Sequence, residues 1–160
     1  MEEYEYSFIV KSIKPYIKYF EENNYKKIKE VEQYRKVYEN IHNKNIISRI
    51  TTEDNITVID FKNTSNKNND LNISSESKSL EINEGNKEFF NSMLETLNFK
   101  QTADNHRIRY IYQKDNVIIE IDNYISPKMF VVAIEGERNK VDIVFKELES
   151  INDIYKGVKK

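Results

Sequence analysis

The chain has no cysteine. Disulfides and thiol chemistry are therefore excluded, and nothing follows about the compartment. No stretch approaches the ~18 apolar residues of a membrane-spanning helix, so no membrane partner is expected. The opening residues, MEEYEY, are acidic and have no apolar core, which does not read as a signal peptide. A cytoplasmic protein is the expectation. There is also no excess of one charge: 25 Lys and Arg stand against 27 Asp and Glu, for a formal net charge of −2. Nothing global calls for nucleic acid or an anionic surface. Yet 32% of the residues are charged, so any electrostatic work is done locally. At 160 residues the expected organisation is one domain, 1–160, large enough to bury a proper core.

What is present is like charges two residues apart inside apparent strands: Glu3 and Glu5, Arg107 and Arg109, Glu120 and Asp122, Glu135 and Glu137. Side chains two apart on a strand share a face. Each pair thus aims two like charges one way, which is costly unless opposite charge lies between them. A polyanion with a bound cation would satisfy both kinds of pair.

Periodicity predicts strands over about 3–10 and 25–38, then a hairpin of IISRIT and ITVIDFK around Glu53-Asp54-Asn55. A short strand over 79–83 follows, then strands over 104–113, 116–124 and 128–137, the first two joined through Lys114-Asp115-Asn116. Helices are predicted over 12–22, with Pro15 tolerated only in the first turn; after Asn86; and after Asn139, whose side chain is the expected cap. The polar segment 63–78, NTSNKNNDLNISSESK, has no period and reads as a mobile loop. The order is two β-α-β-β-β units starting about 78 residues apart, then a helix. Eight mostly antiparallel strands closing on themselves leave no sheet edge. The expected fold is α+β: an eight-stranded antiparallel closed β-barrel, or tunnel, with flanking helices.

Most strands carry one aromatic or aliphatic face and one face of mixed charge. Tyr4, Tyr6 and Phe8 oppose Glu3, Glu5 and Ser7; Ile108 and Tyr110 oppose Arg107 and Arg109; Val132 and Ile134 oppose Glu135 and Glu137. Amphipathic helices need the apolar face, so the charged face is expected to line a lumen. For 25–38 the parity stays open: Ile28, Glu30, Glu32, Tyr34 and Lys36 on one side, Lys29, Val31, Gln33, Arg35 and Val37 on the other.

In this order the motifs resemble the CYTH domain, the triphosphate tunnel metalloenzymes. Glu3-Tyr-Glu5 resembles the amino-terminal Glu-x-Glu-x-Lys signature, and Glu32-Gln-Tyr34 the acidic-aromatic second strand. Arg49 and Lys62 sit where basic strands are expected, and Ser79-Leu-Glu81 where a basic-x-Glu-x-Glu strand is. His106 to Tyr110, Ile119 to Asp122 and Phe130 to Glu137 resemble the last three strands. The resemblance implies binding of a triphosphate-containing small molecule (inorganic triphosphate, ATP or thiamine triphosphate) with Mg²⁺ or Mn²⁺, and its hydrolysis or cyclisation. It implies Lys36, Arg49, Lys62, Arg107 and Arg109 as phosphate ligands. Glu3, Glu5, Asp122 and Glu135 would be metal ligands, with Glu5 and Glu135 in the catalytic role. A homodimer is compatible with it. The chain departs from the pattern at Ser7, where a lysine is expected, at Ser79 and Asn83, and at Ala133. An eroded metal site, binding nucleotide or polyphosphate without turnover, is the alternative.

Overall fold

The computed structural model describes residues 2–68, 71–151 and 154–159. In chain order the elements are β1 (Glu2–Val10), α1 (Lys14–Glu22), β2 (Lys26–Asn40), β3 (Ile46–Glu53), β4 (Ile56–Asn68), β5 (Leu71–Glu76), β6 (Leu80–Ile82), α2 (Lys87–Thr96), β7 (Phe99–Lys114), β8 (Val117–Ser126), β9 (Met129–Gly136), α3 (Arg138–Glu149) and β10 (Ile154–Lys159). Eight strands close a ring in the order β1-β5-β4-β3-β2-β7-β8-β9 and back to β1. Every pairing is antiparallel. The fold is thus a closed eight-stranded antiparallel barrel with three flanking helices, as the strand pattern predicts.

The membership of the ring corrects one expectation. Strand β6, in the predicted 79–83 segment, is no stave; it adds to the edge of β4 through Ile59↔Leu80. The stave is β5, which lies in the segment read as a loop and bridges β4 and β1. With β5 in place, the ring is unchanged when β1, β2, β3 and β4 are exchanged with β5, β7, β8 and β9. The repeated unit is therefore visible in the topology. The extra strand β10 pairs β1 beyond the end of β5.

Turns are built with only three glycines in the chain. Left-handed backbone is instead taken by Asn24, Asp54, Asn55, Asn98, Asp115 and Asn116, the residue types that tolerate it best after glycine. Asp54-Asn55 and Asp115-Asn116 each join paired strands in two residues with φ positive at both. That backbone matches the twist of the flanking strands and fixes their register. The last residue of β9 is Gly136, where φ is +155° and a Cβ would lie 3.0 Å from the Asn116 carbonyl oxygen.

Two apolar clusters lie outside the barrel wall. The larger joins Phe8, Val10, Ile119, Ile121, Val132 and Ile134 to Tyr16 and Phe20 of α1 and to Val141, Val144 and Leu148 of α3. The smaller sets Phe90 and Leu94 of α2 on Ile59, with Ile50, Phe61 and Phe99 packed against it. At about 1.5–3 kcal/mol per large side chain buried, this outer layer supplies the hydrophobic stabilisation and leaves the lumen free to be polar. Asn139 does not cap α3; the helix begins at Arg138, with Glu137 at the cap position. No helix among the described residues is long and apolar enough to cross a membrane.

Candidate functional site

Because the apolar parity of the strands is held outside, the other parity is forced into the lumen. Glu3, Glu5 and Ser7 come from β1, Glu135 and Ala133 from β9, Glu120 and Asp122 from β8, and Arg107 and Arg109 from β7. Gln33 and Arg35 come from β2, Arg49 and Thr51 from β3, Asp60 and Lys62 from β4, and Ser74 and Glu76 from β5. Carboxyl groups outnumber cations in this wall: Glu3, Glu5, Asp60, Glu76, Glu120, Asp122 and Glu135 face Arg35, Arg49, Lys62, Arg107 and Arg109.

Register gathers three of the carboxyls. Glu5 is the direct cross-strand partner of Glu135, and Glu120 lies on the neighbouring strand, opposite Ala133. One oxygen from each of Glu5, Glu120 and Glu135 lies within 4.8 Å of the others. Burial, then Glu120 and Glu5, push Glu135 up to about 11. Burial also opposes ionisation of Glu120, but Arg109, the hydrogen bond with Glu135 and Arg35 together outweigh it and hold Glu120 below the usual carboxylate range. Glu135 therefore keeps its proton at neutral pH and shares it with its neighbours, which means the cluster lacks positive charge. The donor set suits a hard divalent cation: all three ligands are carboxylate oxygens. With Mg–O distances of about 2.0–2.1 Å, donor oxygens stand no more than about 4.2 Å apart, so a sub-ångström contraction suffices.

This cluster makes stability depend on pH in a definite direction. Glu135 binds a proton in the fold above its unfolded value of 4.5 and up to about 11. Its contribution is complete below that unfolded value and is lost as pH rises toward the folded one. The unliganded protein is expected to melt at progressively lower temperature from about pH 5 to pH 9, by at most about 1.4 kcal/mol per pH unit. Excess Mg²⁺ or Mn²⁺ should flatten that slope. Thermal unfolding across pH, with and without the ion, checks it; a flat or rising profile without metal refutes the shared-proton cluster.

The basic groups differ sharply in how far they are already satisfied. Arg109 is held by Asp122 in a bidentate pair at 2.8 and 3.0 Å and by Glu120 at 2.8 Å. Arg49 pairs with Asp60 at 2.9 and 2.6 Å and reaches Glu76 at 3.2 Å. Lys62 stands 3.8 Å from Glu5 and 3.7 Å from Glu76. Arg107, 1% exposed, donates to Gln33 Oε1 from Nε at 2.7 Å and again from Nη2, and to the Tyr124 hydroxyl. Arg35 has Thr51 Oγ1 at 2.9 Å and no ion pair with a carboxylate among the described residues. Burial of its guanidinium, with Arg109, Arg107 and Arg49 nearby, pulls Arg35 down to about 9. Burial and Arg109 lower Arg107 as well. The lumen thus holds one under-neutralised cationic pole beside one proton-sharing acidic pole.

Of the residues selected from sequence, Glu5 and Glu135 lie together, and Arg49, Lys62, Arg107 and Arg109 all face inward. Glu3 faces inward farther along β1, where burial and then Glu76 raise its pKa. Asp122 is not in the three-carboxyl cluster; it is tied to Arg109. Lys36 is exposed on the outer face, and the inward parity of β2 is that of Val31, Gln33 and Arg35. Glu137 lies at the start of α3, so Glu135 takes the inward place on β9 and Ala133 is its inward neighbour. Asn83 is not a gap in the wall, because it lies in the turn before α2, where its side chain accepts from the Gly85 and Asn86 amides. Ser7 and Ala133 do face each other in the lumen. Sequence reasoning missed Arg35, Glu76 and Glu120 as site residues. Glu120 was legible from its spacing to Asp122; Arg35 had no such signal.

No family model matches the sequence, and no curated protein matches it. Solved structures do. A Pyrococcus horikoshii OT3 protein superposes with a TM-score of 0.71 at 19% identity, over 98% of this chain and 96% of that one. A putative adenylyl cyclase from Hippeastrum, described as revealing a dominant triphosphatase activity, gives 0.68 at 16% identity over 99% and 92%. A putative adenylate cyclase from Vibrio parahaemolyticus gives 0.65 at 11% identity over 98% and 94%. At these identities the likeness is one of fold, and function has to be argued from the site.

Proposed function

We propose that this chain is a CYTH-type protein that binds a triphosphate-containing small molecule in the barrel lumen, together with Mg²⁺ or Mn²⁺, and cleaves or cyclises it. One observation carries the reading. An Arg35 with no carboxylate partner among the described residues and three converging carboxyls occupy the same lumen, and a polyanion arriving with a divalent cation neutralises both. Neither does so alone, because carboxyls already outnumber cations in the wall.

In this reading Arg35 and Arg107 take phosphate oxygens first, being the arginines least compensated by carboxylates. Arg49 and Lys62 hold the far end of the chain of phosphates. Guanidinium forks suit such oxygens because two parallel N–H groups reach them at once. Glu5, Glu120 and Glu135 would hold the cation, which supplies charge neutralisation on the phosphoryl group and a more acidic bound water. Gln33 and Tyr124 keep Arg107 aimed, and Asp122 keeps Arg109 aimed, so both arginines are preorganised before substrate enters. No covalent nucleophile is required.

Binding without turnover is the competing reading, and Ser7 is the observation that favours it. The lysine of the resembled signature would stand there, opposite Ala133. The test is to titrate inorganic triphosphate, ATP and thiamine triphosphate with and without Mg²⁺ or Mn²⁺, following thermal shift and phosphate release. Wild type should be stabilised by mass action and release phosphate or yield a cyclised product only with metal. Glu5→Gln should abolish that turnover. Stabilisation with no turnover selects the binding protein, and no response to any triphosphate sinks both readings.

A further inference from the structure

We infer that Glu76 is a built-in competitor for the ligand of this lumen: in the empty protein its carboxylate fills the place between Arg49 and Lys62, and a bound polyphosphate displaces it. The inference rests on the triphosphate reading above and deepens it. It starts from how the carboxylates are shared between two cations. Arg49 and Lys62 stand on neighbouring strands, and each has an acidic neighbour of its own, Asp60 for Arg49 and Glu5 for Lys62. Among the described residues Glu76 is the carboxylate that reaches both, and it does so with one oxygen. Its Oε1 lies 3.2 Å from Arg49 Nη2 and 3.7 Å from Lys62 Nζ. An anionic oxygen between a guanidinium and an ammonium group is what a phosphoryl chain would supply at that place.

The contacts are unequal in a way that marks Glu76 as the group that leaves. Asp60 is the direct cross-strand partner of Arg49 and takes its Nε and Nη2 in a bidentate pair, which aims the guanidinium into the lumen. Glu76 stands beyond hydrogen-bonding distance of Lys62, and its side chain is 29% exposed against 11% for Arg49 and 14% for Lys62. It is also the last residue of β5. The chain after it is pinned, since the Ser77 N–H donates to the Phe61 carbonyl and the Phe61 N–H to Ser77 Oγ, both at 2.9 Å. Displacement is therefore the rotation of one side chain toward water, with no strand to move, and exposed side chains turn within picoseconds to nanoseconds. The freed carboxylate is rehydrated, while the phosphate chain brings more charge to the two cations than a carboxylate can. The work of moving Glu76 is subtracted from the affinity of any ligand that reaches Arg49 and Lys62.

The test is calorimetric titration of inorganic triphosphate into the full chain in excess Mg²⁺, with wild type beside Glu76→Gln and Glu76→Asp, each shown to be folded by its thermal unfolding. Glu76→Gln removes the competing charge and should bind about tenfold tighter. Glu76→Asp keeps the charge in the lumen but draws its oxygens back by roughly a bond length, and should still bind about three- to fivefold tighter. Unchanged or weaker binding by Glu76→Gln overturns the inference, because Glu76 would then hold the two cations for the ligand rather than against it. Glu76→Asp binding like wild type overturns it too, because only the total charge of the lumen would then matter. Both of those results leave the triphosphate reading standing. Failure of wild type and both variants to bind overturns that reading, and this inference with it.

Discussion

Replacing Arg35 with methionine is expected to weaken triphosphate binding by about 10- to 100-fold while leaving the unliganded barrel at least as stable. The two halves have one cause. Arg35 is a cation with no carboxylate partner among the described residues, set among Arg109, Arg107 and Arg49. A buried cation among cations stores unfavourable energy in the empty lumen. Methionine keeps an unbranched stem of similar reach, fills the space and removes that repulsion. In the complex the same guanidinium meets phosphate, and hydrogen bonds between charged groups contribute about 1.5–3 kcal/mol each, where each 1.4 kcal/mol is tenfold. Calorimetric titration gives the affinity and thermal unfolding the stability. Lys36→Met, at the neighbouring exposed position, should leave both unchanged. Should Lys36→Met weaken binding and Arg35→Met not, the inward parity assigned to β2 is wrong.

That contrast shows what was legible in the sequence and what was not. Where one face of a strand is apolar, as in Tyr4-Tyr6-Phe8 or Ile119-Ile121, alternation alone tells which side chains line the lumen. β2 has no such face. Glu32 and Tyr34 are exposed outside and Val31 and Gln33 are buried inside, so neither parity is consistently apolar. Only pairing with β7, which sets Gln33 against Arg107 and Arg35 against Asn105, settles the orientation. β5 escaped for a related reason. Its inward side is Ser74 and Glu76, and its outward side offers only Leu71 and Ile73 before Ser75, too little for a period to show. A stave of a polar-lined barrel with no helix over it looks like a loop. Its register is fixed by neighbours, Glu3↔Ser74 on one edge and Lys62↔Glu76 on the other. The count of eight strands was right, while one of the strands counted was a different one. The closed topology was legible because the apolar alternation of the other staves, with their helices, leaves few alternatives.

Asp122→Asn should be the most destabilising of the lumen substitutions, by roughly 3–5 kcal/mol, and its sign separates two roles for this carboxylate. If Asp122 served chiefly as a metal ligand, as the family resemblance implies, removing its charge from an acid-rich lumen would stabilise the empty protein. The structure ties it instead to Arg109 through two hydrogen bonds, at 2% exposure, with Arg107 at 3.8 Å. Without that carboxylate the buried Arg109 loses its bidentate partner and keeps only Glu120, and breaking a buried pair from one side costs about 3–5 kcal/mol. For a chain of this size that is a fall in melting temperature of roughly 6–20 °C. Glu135→Gln supplies the opposite case in the same lumen. Glu135 is already protonated at neutral pH, so the amide replaces a neutral group, and the unliganded protein should keep or gain stability while losing its response to Mg²⁺. Two carboxyl-to-amide changes on adjacent strands, β8 and β9, should therefore move melting temperature in opposite directions. Equal effects would mean that the lumen does not separate an arginine-holding carboxylate from a cation-holding one, and the division of labour along the wall would fall with it.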